Sequence, residues 1–261
     1  MTVYESLRNN TMKKTLGCLR KADHDFMLIE PGDRIAVGVS GGKDSLLLLH
    51  AMSLYRKFSH KDFSVSAVTV TLGLEPFDLS GVRHLCEELE IPFIVKETEI
   101  GKIIFDYRKE KNPCALCAKM RRAVLANTCV ENGFNKLALG HHREDAVETL
   151  LMSLFYEGRF HTFHPKTTMS RTGITVIRPL VYLPESHVKH MAKVLDLPVV
   201  KSPCPADGNT RRAEMKDLMR RLRQIYPDAN ERFLHALQQD HYDLWQKEET
   251  PLRGPHSGSN S

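Results

Sequence analysis

Apolar positions along this chain change period repeatedly, from every third or fourth residue to every second and back. Residues 4–29 carry Leu16, Leu19, Phe26 and Ile29 at helical spacing, with Arg8, Lys13, Lys14, Arg20 and Lys21 between them. Pro31-Gly32-Asp33 ends that helix. Ile35, Val37 and Val39 then alternate as a strand, and Leu46 to Leu49 open a helix that runs to about Lys57. Further strands are expected over 63–71, 91–96, 136–140 and 174–181, with a last short one at 199–201. Helices are expected over 78–89, capped by Asp78 or Ser80, and over 114–132, 146–156 and 184–195, with basic amphipathic helices over 213–247. Strands alternating with helices make βαβ units, so the pattern predicts an α/β fold with a parallel sheet covered on both faces. In such sheets ligands gather at the carboxyl ends of the strands.

The pattern divides the 261 residues into an N-terminal helical segment (1–30), an α/β domain (31–205), a C-terminal helical region (206–248) and a tail (249–261). The tail is Gly/Ser-rich and expected to be disordered. Composition adds little except exclusions. No apolar run approaches the ~20 residues that span a bilayer, and Met1 to Ser6 lack the layout of a signal peptide, so no membrane and a cytoplasmic location are expected. The net charge of +5 permits nucleic-acid binding without requiring it.

Chemistry first shows at Ser40-Gly41-Gly42-Lys43-Asp44-Ser45, between the first strand and its helix. A strand, a glycine turn and a helix N-terminus bring backbone N–H groups together on an anion. The spacing fits neither the GxxxxGK(S/T) loop nor the dinucleotide GxGxxG pattern. It resembles instead, at every position, the SGGxDS pyrophosphate loop of the PP-loop ATPases, which split ATP between its α and β phosphates. The fourth strand ends at Gly140, followed by His141-His142-Arg143-Glu144-Asp145 at the head of a helix. Gly140 and Asp145 there are read as contacts to ATP or Mg²⁺, in preference to a protein-bound metal on the histidines.

Six cysteines fall into two sets. Cys18, Cys86 and Cys129 lie inside helical patterns and read as buried small residues. Cys114 and Cys117 form a CxxC pair beside Pro113, and Cys204 stands alone between two prolines. Three thiols are one fewer than a closed zinc site or a fully ligated cluster, leaving an open coordination position. A zinc site completed by His141 or His142, or a redox pair with Cys204 as persulfide carrier, stays open beside an iron–sulfur cluster. Lys119, Arg121 and Arg122 follow the pair, and the 158–166 loop interleaves Arg159, Phe160, His161, Phe163 and Lys166. Aromatic and basic side chains so mixed suit single-stranded RNA, although a solvated loop reads equally well.

Together these features are similar to the tRNA 2-thiocytidine synthetase family of PP-loop ATPases over roughly residues 12–240. The marks are 29–34 before the loop, Cys114-Ala-Leu-Cys117 with Arg121-Arg122, Leu139 to Arg143, Phe155 to Arg159, Ile177 to Leu180 and the lone Cys204. The resemblance implies an adenine nucleotide alpha hydrolase-like domain using ATP–Mg²⁺, a [4Fe–4S] cluster on Cys114, Cys117 and Cys204, and tRNA as partner. The implied reaction adenylates a base carbonyl, C2 of an anticodon-loop cytidine, and replaces the oxygen with sulfur from a persulfide or sulfide donor. Catalytic roles are carried to Lys43, Asp44 and the three cysteines, and a homodimer is left open. Two departures stand out: Val70-Thr71-Leu72-Gly73 lacks an aspartate at the end of the second strand, and Pro205 to Thr210 differ from the family's usual surroundings of the last cysteine. The alternatives are a PP-loop enzyme acting on another acceptor and a non-enzymatic metal-bearing RNA-binding protein.

Overall fold

A computed structural model describes residues 11–74, 77–108, 113–200 and 211–239. Cys204, residues 1–10 and the tail from 240 onward lie outside the described residues. Helix α1 (Lys13–Phe26) leads into strand β1 (Arg34–Gly38), helix α2 (Lys43–Phe58), strand β2 (Ser64–Val70), helix α3 (Ser80–Glu88) and strand β3 (Phe93–Lys96). A helical turn (Ile100–Lys102), continued as a π-helix (Ile103–Tyr107), precedes helix α4 (Pro113–Glu131) and strand β4 (Lys136–Ala138). Then come helix α5 (Arg143–Glu157), strands β5 (Lys166–Thr168) and β6 (Thr175–Ile177), and helices α6 (Glu185–Val194), α7 (Arg211–Ile225) and α8 (Ala229–Gln238).

The six strands form one sheet in the order β3-β2-β1-β4-β6-β5, parallel except for β5. Side chains of a strand alternate between faces, and the core divides accordingly. Ile35 and Val37 of β1 face the layer of α1, α2, α3 and α6, whereas Ala36 joins Val68, Cys129, Leu137 and Val176 on the face covered by α4. Helix α2 is apolar nearly all round, with Leu46, Leu47, Leu48 and Leu49 fully buried, because it lies inside the helical layer.

Strand order reverses between β1 and β4, where consecutive strands build outward in opposite directions. That switch point opens a crevice at the carboxyl ends of the two strands. Its amino-terminal side is fastened by a buried charge cluster. Lys136 Nζ donates to Leu28 O at 2.9 Å and lies 2.7 Å from Asp33 Oδ2 and 3.0 Å from Glu30 Oε2. Asn135 Nδ2 donates to Asp33 Oδ1 at 2.7 Å, so the start of β4 is locked to the turn before β1.

Two sheet expectations change. Residues 166–168 add an antiparallel edge strand, short and polar enough to escape a hydrophobic pattern. Val199 and Val200 are not in the sheet, since β5 and not this segment flanks β6. Val200 instead donates its N–H to Gly41 O at 2.9 Å, passing beside the glycine turn after β1. Among the described residues, no helix is long and apolar enough to cross a membrane.

Candidate nucleotide site and cysteine pair

The glycine turn between β1 and α2 is shaped by backbone demands. Gly41 has φ +79°, and a Cβ there would lie 2.9 Å from Phe77 Cζ and 3.2 Å from Val200 Cβ. Gly42 is the extended N-cap residue of α2 and supplies no capping side chain. The first N–H groups of α2 therefore lack intrahelical acceptors and present the positive end of the helix dipole. Ser45 tightens the turn from below: its Oγ accepts from Ser40 N–H at 3.1 Å and donates to Gly42 O at 2.9 Å. Lys43 Nζ lies 2.9 Å from both oxygens of Asp44 and 3.7 Å from Glu185 Oε1.

The opposite wall follows β4. A Cβ on Gly140 would meet the carbonyl carbon and oxygen of Asp44 at 2.8 Å, so only glycine lets this chain pass the start of α2. Asp145 Oδ2 accepts from His142 N–H at 2.9 Å, closing the first turn of α5, while Oδ1 accepts from Arg212 Nη1 at 2.8 Å. His142 is buried among Asp44, Glu144 and Asp145 at 3.5–3.7 Å; burial alone would lower its pKa, but those carboxylates hold it raised. His141 stacks against Phe163 with ring centroids 4.9 Å apart, and its buried position pushes its pKa down to about 4. Behind this wall, burial would raise the Glu144 carboxyl, yet His142, Arg143 and the Glu185 N–H outweigh it and hold the pKa at about 2.

These two walls and α4 enclose a cavity of about 350 Å³. Ser40, Asp44 and Ser45 line it from the first loop, Gly140, His141 and Asp145 from the second, and Arg121, Arg122 and Arg212 bring positive charge. Charge of that sign, open N–H groups and an apolar floor that includes Val68, Leu125 and Leu137 can hold a polyphosphate with a planar base.

The cysteine pair opens α4, the helix that lends Ala118, Arg121 and Arg122 to the cavity. Cys114 is exposed, and Cys117 packs beside Val70, Ile100 and Ile104. Two thiols one turn apart at a helix N-terminus are suitable donors for iron or zinc. Among the described residues, no three His, Cys, Asp or Glu side chains are grouped to hold a metal. Cys18, Cys86 and Cys129 lie within α1, α3 and α4; burial pushes the Cys86 thiol up to about 11 and Cys129 to about 12.

Of the basic residues read as RNA contacts, Arg121 and Arg122 line the cavity, and Lys119 is exposed on the same helix. Arg159 is exposed beyond the end of α5, and Lys166 donates to Met27 O at 2.6 Å, so neither reaches the cavity. Sequence reasoning did not find Arg212 or His142 as parts of the site. No local spacing joins Arg212 to Asp145, 67 residues away, whereas the sequence offers His142 only as an alternative metal ligand and not as a partner of the carboxylates.

A glycine turn at the switch point of a parallel sheet, feeding a helix N-terminus, makes a nucleotide-binding domain, and the sequence Ser40-Gly41-Gly42-Lys43-Asp44-Ser45 of that turn is of the PP-loop class. A family model described as a PP-loop domain matches residues 10–222. Among curated proteins, the tRNA-cytidine(32) 2-sulfurtransferase of Syntrophotalea carbinolica is 38% identical over 240 residues, covering 91% of this chain and 92% of that protein. The protein of the same name from Anaeromyxobacter dehalogenans is 37% identical over 227 residues, 86% of this chain and 78% of its own. The chain belongs to the PP-loop family and, within it, to the tRNA-cytidine(32) 2-sulfurtransferases. It is thus an enzyme of an ATP-using family. Its fold is also that of the U34-tRNA thiolase NcsA from Methanococcus maripaludis, solved with its [4Fe-4S] cluster: TM-score 0.74, 24% identity, 96% of this chain and 86% of that one.

Proposed function

We propose that the protein thiolates a tRNA base, C2 of a cytidine, using ATP to activate the carbonyl oxygen. The observation that carries this reading is the single cavity shared by the phosphate-type loop at Ser40–Ser45 and the helix opened by Cys114 and Cys117. A base carbonyl is a poor electrophile, because displacing its oxygen means expelling hydroxide. Attack of that oxygen on the α-phosphorus releases pyrophosphate and leaves the oxygen on AMP, a good leaving group. The N–H groups at the start of α2 and the Lys43 ammonium stabilise the charge growing on the departing pyrophosphate. Asp44 and Asp145 face the same space and are suited to the Mg²⁺ that accompanies the phosphates. Sulfur then adds at C2 and AMP departs with the original oxygen.

Cys114, Cys117 and Cys204 would hold the [4Fe–4S] cluster; the two described thiols have the donor chemistry it requires, and Cys204 lies outside the described residues. With three protein thiolates, such a cluster supplies one iron open to an external sulfide. Arg121 and Arg122 line the cavity from the helix that the cysteine pair opens, where they can hold the phosphates of the nucleotide or of the tRNA. Lys119, Arg159 and Lys166 extend the basic surface toward tRNA. The relatives' names carry cytidine 32 as the target. Mass spectrometry of tRNA nucleosides from cells with and without the gene tests the reading. Loss of 2-thiocytidine in the deletion strain is expected; an unchanged 2-thiocytidine level with another thionucleoside missing would move the enzyme to a different acceptor.

A further inference from the structure

Arg212 reaches the nucleotide cavity from α7, a helix outside the βαβ core. The helix is firmly seated, with Met215 and Met219 packed against Val147 and Leu151 of α5, so the arginine's base is fixed and its guanidinium moves by rotamer change alone. Two carboxylates lie within its reach. At the cavity, Nη1 donates to Asp145 Oδ1 at 2.8 Å. Behind the cavity, the same nitrogen lies 3.6 Å from Glu148 Oε2, a buried oxygen that accepts no hydrogen bond. Nη2 adds a bond of 3.3 Å to Thr149 Oγ1.

Asp145 is fully engaged in this arrangement, with one oxygen on the His142 N–H and the other on Arg212. If Asp145 is to face a cation, Arg212 must release Oδ1 or share it. Lys43 is in the same position on the facing wall, lying across Asp44 and near Glu185. Each wall thus holds a cationic side chain on a carboxylate that faces the cavity.

We propose that Arg212 is a polyphosphate-binding residue, turning from Asp145 to the phosphate oxygens of the nucleotide. The proposal rests on reading the cavity as the ATP site. A guanidinium suits the task because its planar fork can bond two phosphate oxygens together, and it carries its charge at any physiological pH. The exchange gives both members of the cavity pair a new partner. Asp145 passes to the cation that travels with the phosphates, and Arg212 passes to the anion.

Equilibrium binding to the full-length holoprotein tests this with three probes in the presence of Mg²⁺: α,β-methylene-ATP, inorganic pyrophosphate and adenosine. Arg212→Gln should weaken α,β-methylene-ATP and pyrophosphate at least about tenfold and leave adenosine within about twofold, and Arg212→Lys should recover part of the loss. Equal weakening of adenosine and the phosphorylated probes would reduce Arg212 to a structural strut and overturn the proposal. Unchanged or tighter binding of α,β-methylene-ATP by Arg212→Gln would also overturn it, the tighter case making Arg212 a mere block on Asp145. Should Arg212→Gln fail to fold, by circular dichroism, Arg212→Lys decides by the same comparison, with a selective loss for the phosphorylated probes expected and an equal change for all three, or none, overturning it. A wild-type protein that binds no α,β-methylene-ATP would instead bring down the nucleotide reading of the cavity itself.

Discussion

The backbone of Asp44 and the α-carbon of Gly140 are packed so closely that a methyl group on Gly140 would lie 2.8 Å from the Asp44 carbonyl. These residues belong to the two loops facing each other across the switch point, and their contact sets the width of the cavity. Gly140→Ala must push the start of α2 aside, at a cost of about 1–3 kcal/mol if the surroundings yield as they do in other overpacked sites. We expect a folded variant with a lowered melting temperature and at least tenfold weaker binding of an ATP analogue. A variant that keeps wild-type values in both measurements would mean that the loops separate freely.

The cysteines should divide by setting. Alanine at Cys114, Cys117 or Cys204 is expected to abolish iron binding and thiolation together, whereas anaerobic wild-type protein should be brown and contain about four irons per chain. Cys129→Ala should retain its iron, since that thiol is buried in α4 and held neutral, with a pKa of about 12. Colourless, zinc-loaded and fully active anaerobic protein would remove the cluster from the mechanism.

Charge reversal at Arg122 and Arg159 separates two kinds of arginine. Arg122 lines the cavity and Arg159 does not, so Arg122→Glu should weaken both the ATP analogue and tRNA, and Arg159→Glu only tRNA. Each lost phosphate contact should reduce the slope of log affinity against log salt by roughly 1. Filter binding across a salt series reads both quantities; identical slopes in the Arg159→Glu variant and the wild type would place the RNA surface elsewhere.

His50 gives the fold a built-in acid sensitivity. It sits within α2 with both ring nitrogens buried and unbonded among the described residues, and burial above all lowers its pKa to about 4. An unfolded histidine titrates near ~6.5, so between pH 6.5 and 4 the unfolded chain binds more protons than the native one. Stability is therefore unaffected by this group above pH 6.5 and falls as pH drops through the window, by about 3 kcal/mol in full. Urea unfolding at pH 7 and pH 5 should show a smaller loss in His50→Leu than in the wild type; equal losses would assign the acid sensitivity to other groups.

Much of the scaffold was legible because its signals are local. Ile35, Val37 and Val39 alternate, the Leu46 run follows a glycine turn, and those few residues specify a strand, a phosphate-type loop and a helix in succession. Val199 and Val200 show where that logic ends. They have strand composition, but a strand needs a free neighbour, and the edge beside β6 is taken by the polar residues 166–168. The ion pairs of the site were beyond reach for a different reason. Arg212 meets Asp145 only because α7 packs on α5 through Met215 and Met219, a tertiary event with no counterpart in residue spacing. His142 lay in plain sight, but its role depends on three carboxylates, one of which, Asp44, arrives from the opposite loop.

The charge cluster of Lys136, Asp33 and Asn135 has a bearing on how this scaffold could be redesigned. It fixes the offset of β4 against β1 from the far edge of the sheet, using no atom of either loop. Breaking it would leave a carboxylate buried alone, a defect of about 3–5 kcal/mol that no change near the cavity could repair. While it stands, the strand ends that carry the two loops stay aligned whatever the loops contain. New segments grafted between Gly38 and Lys43, or between Ala138 and Arg143, would inherit that alignment provided they keep glycine at 41 and 140.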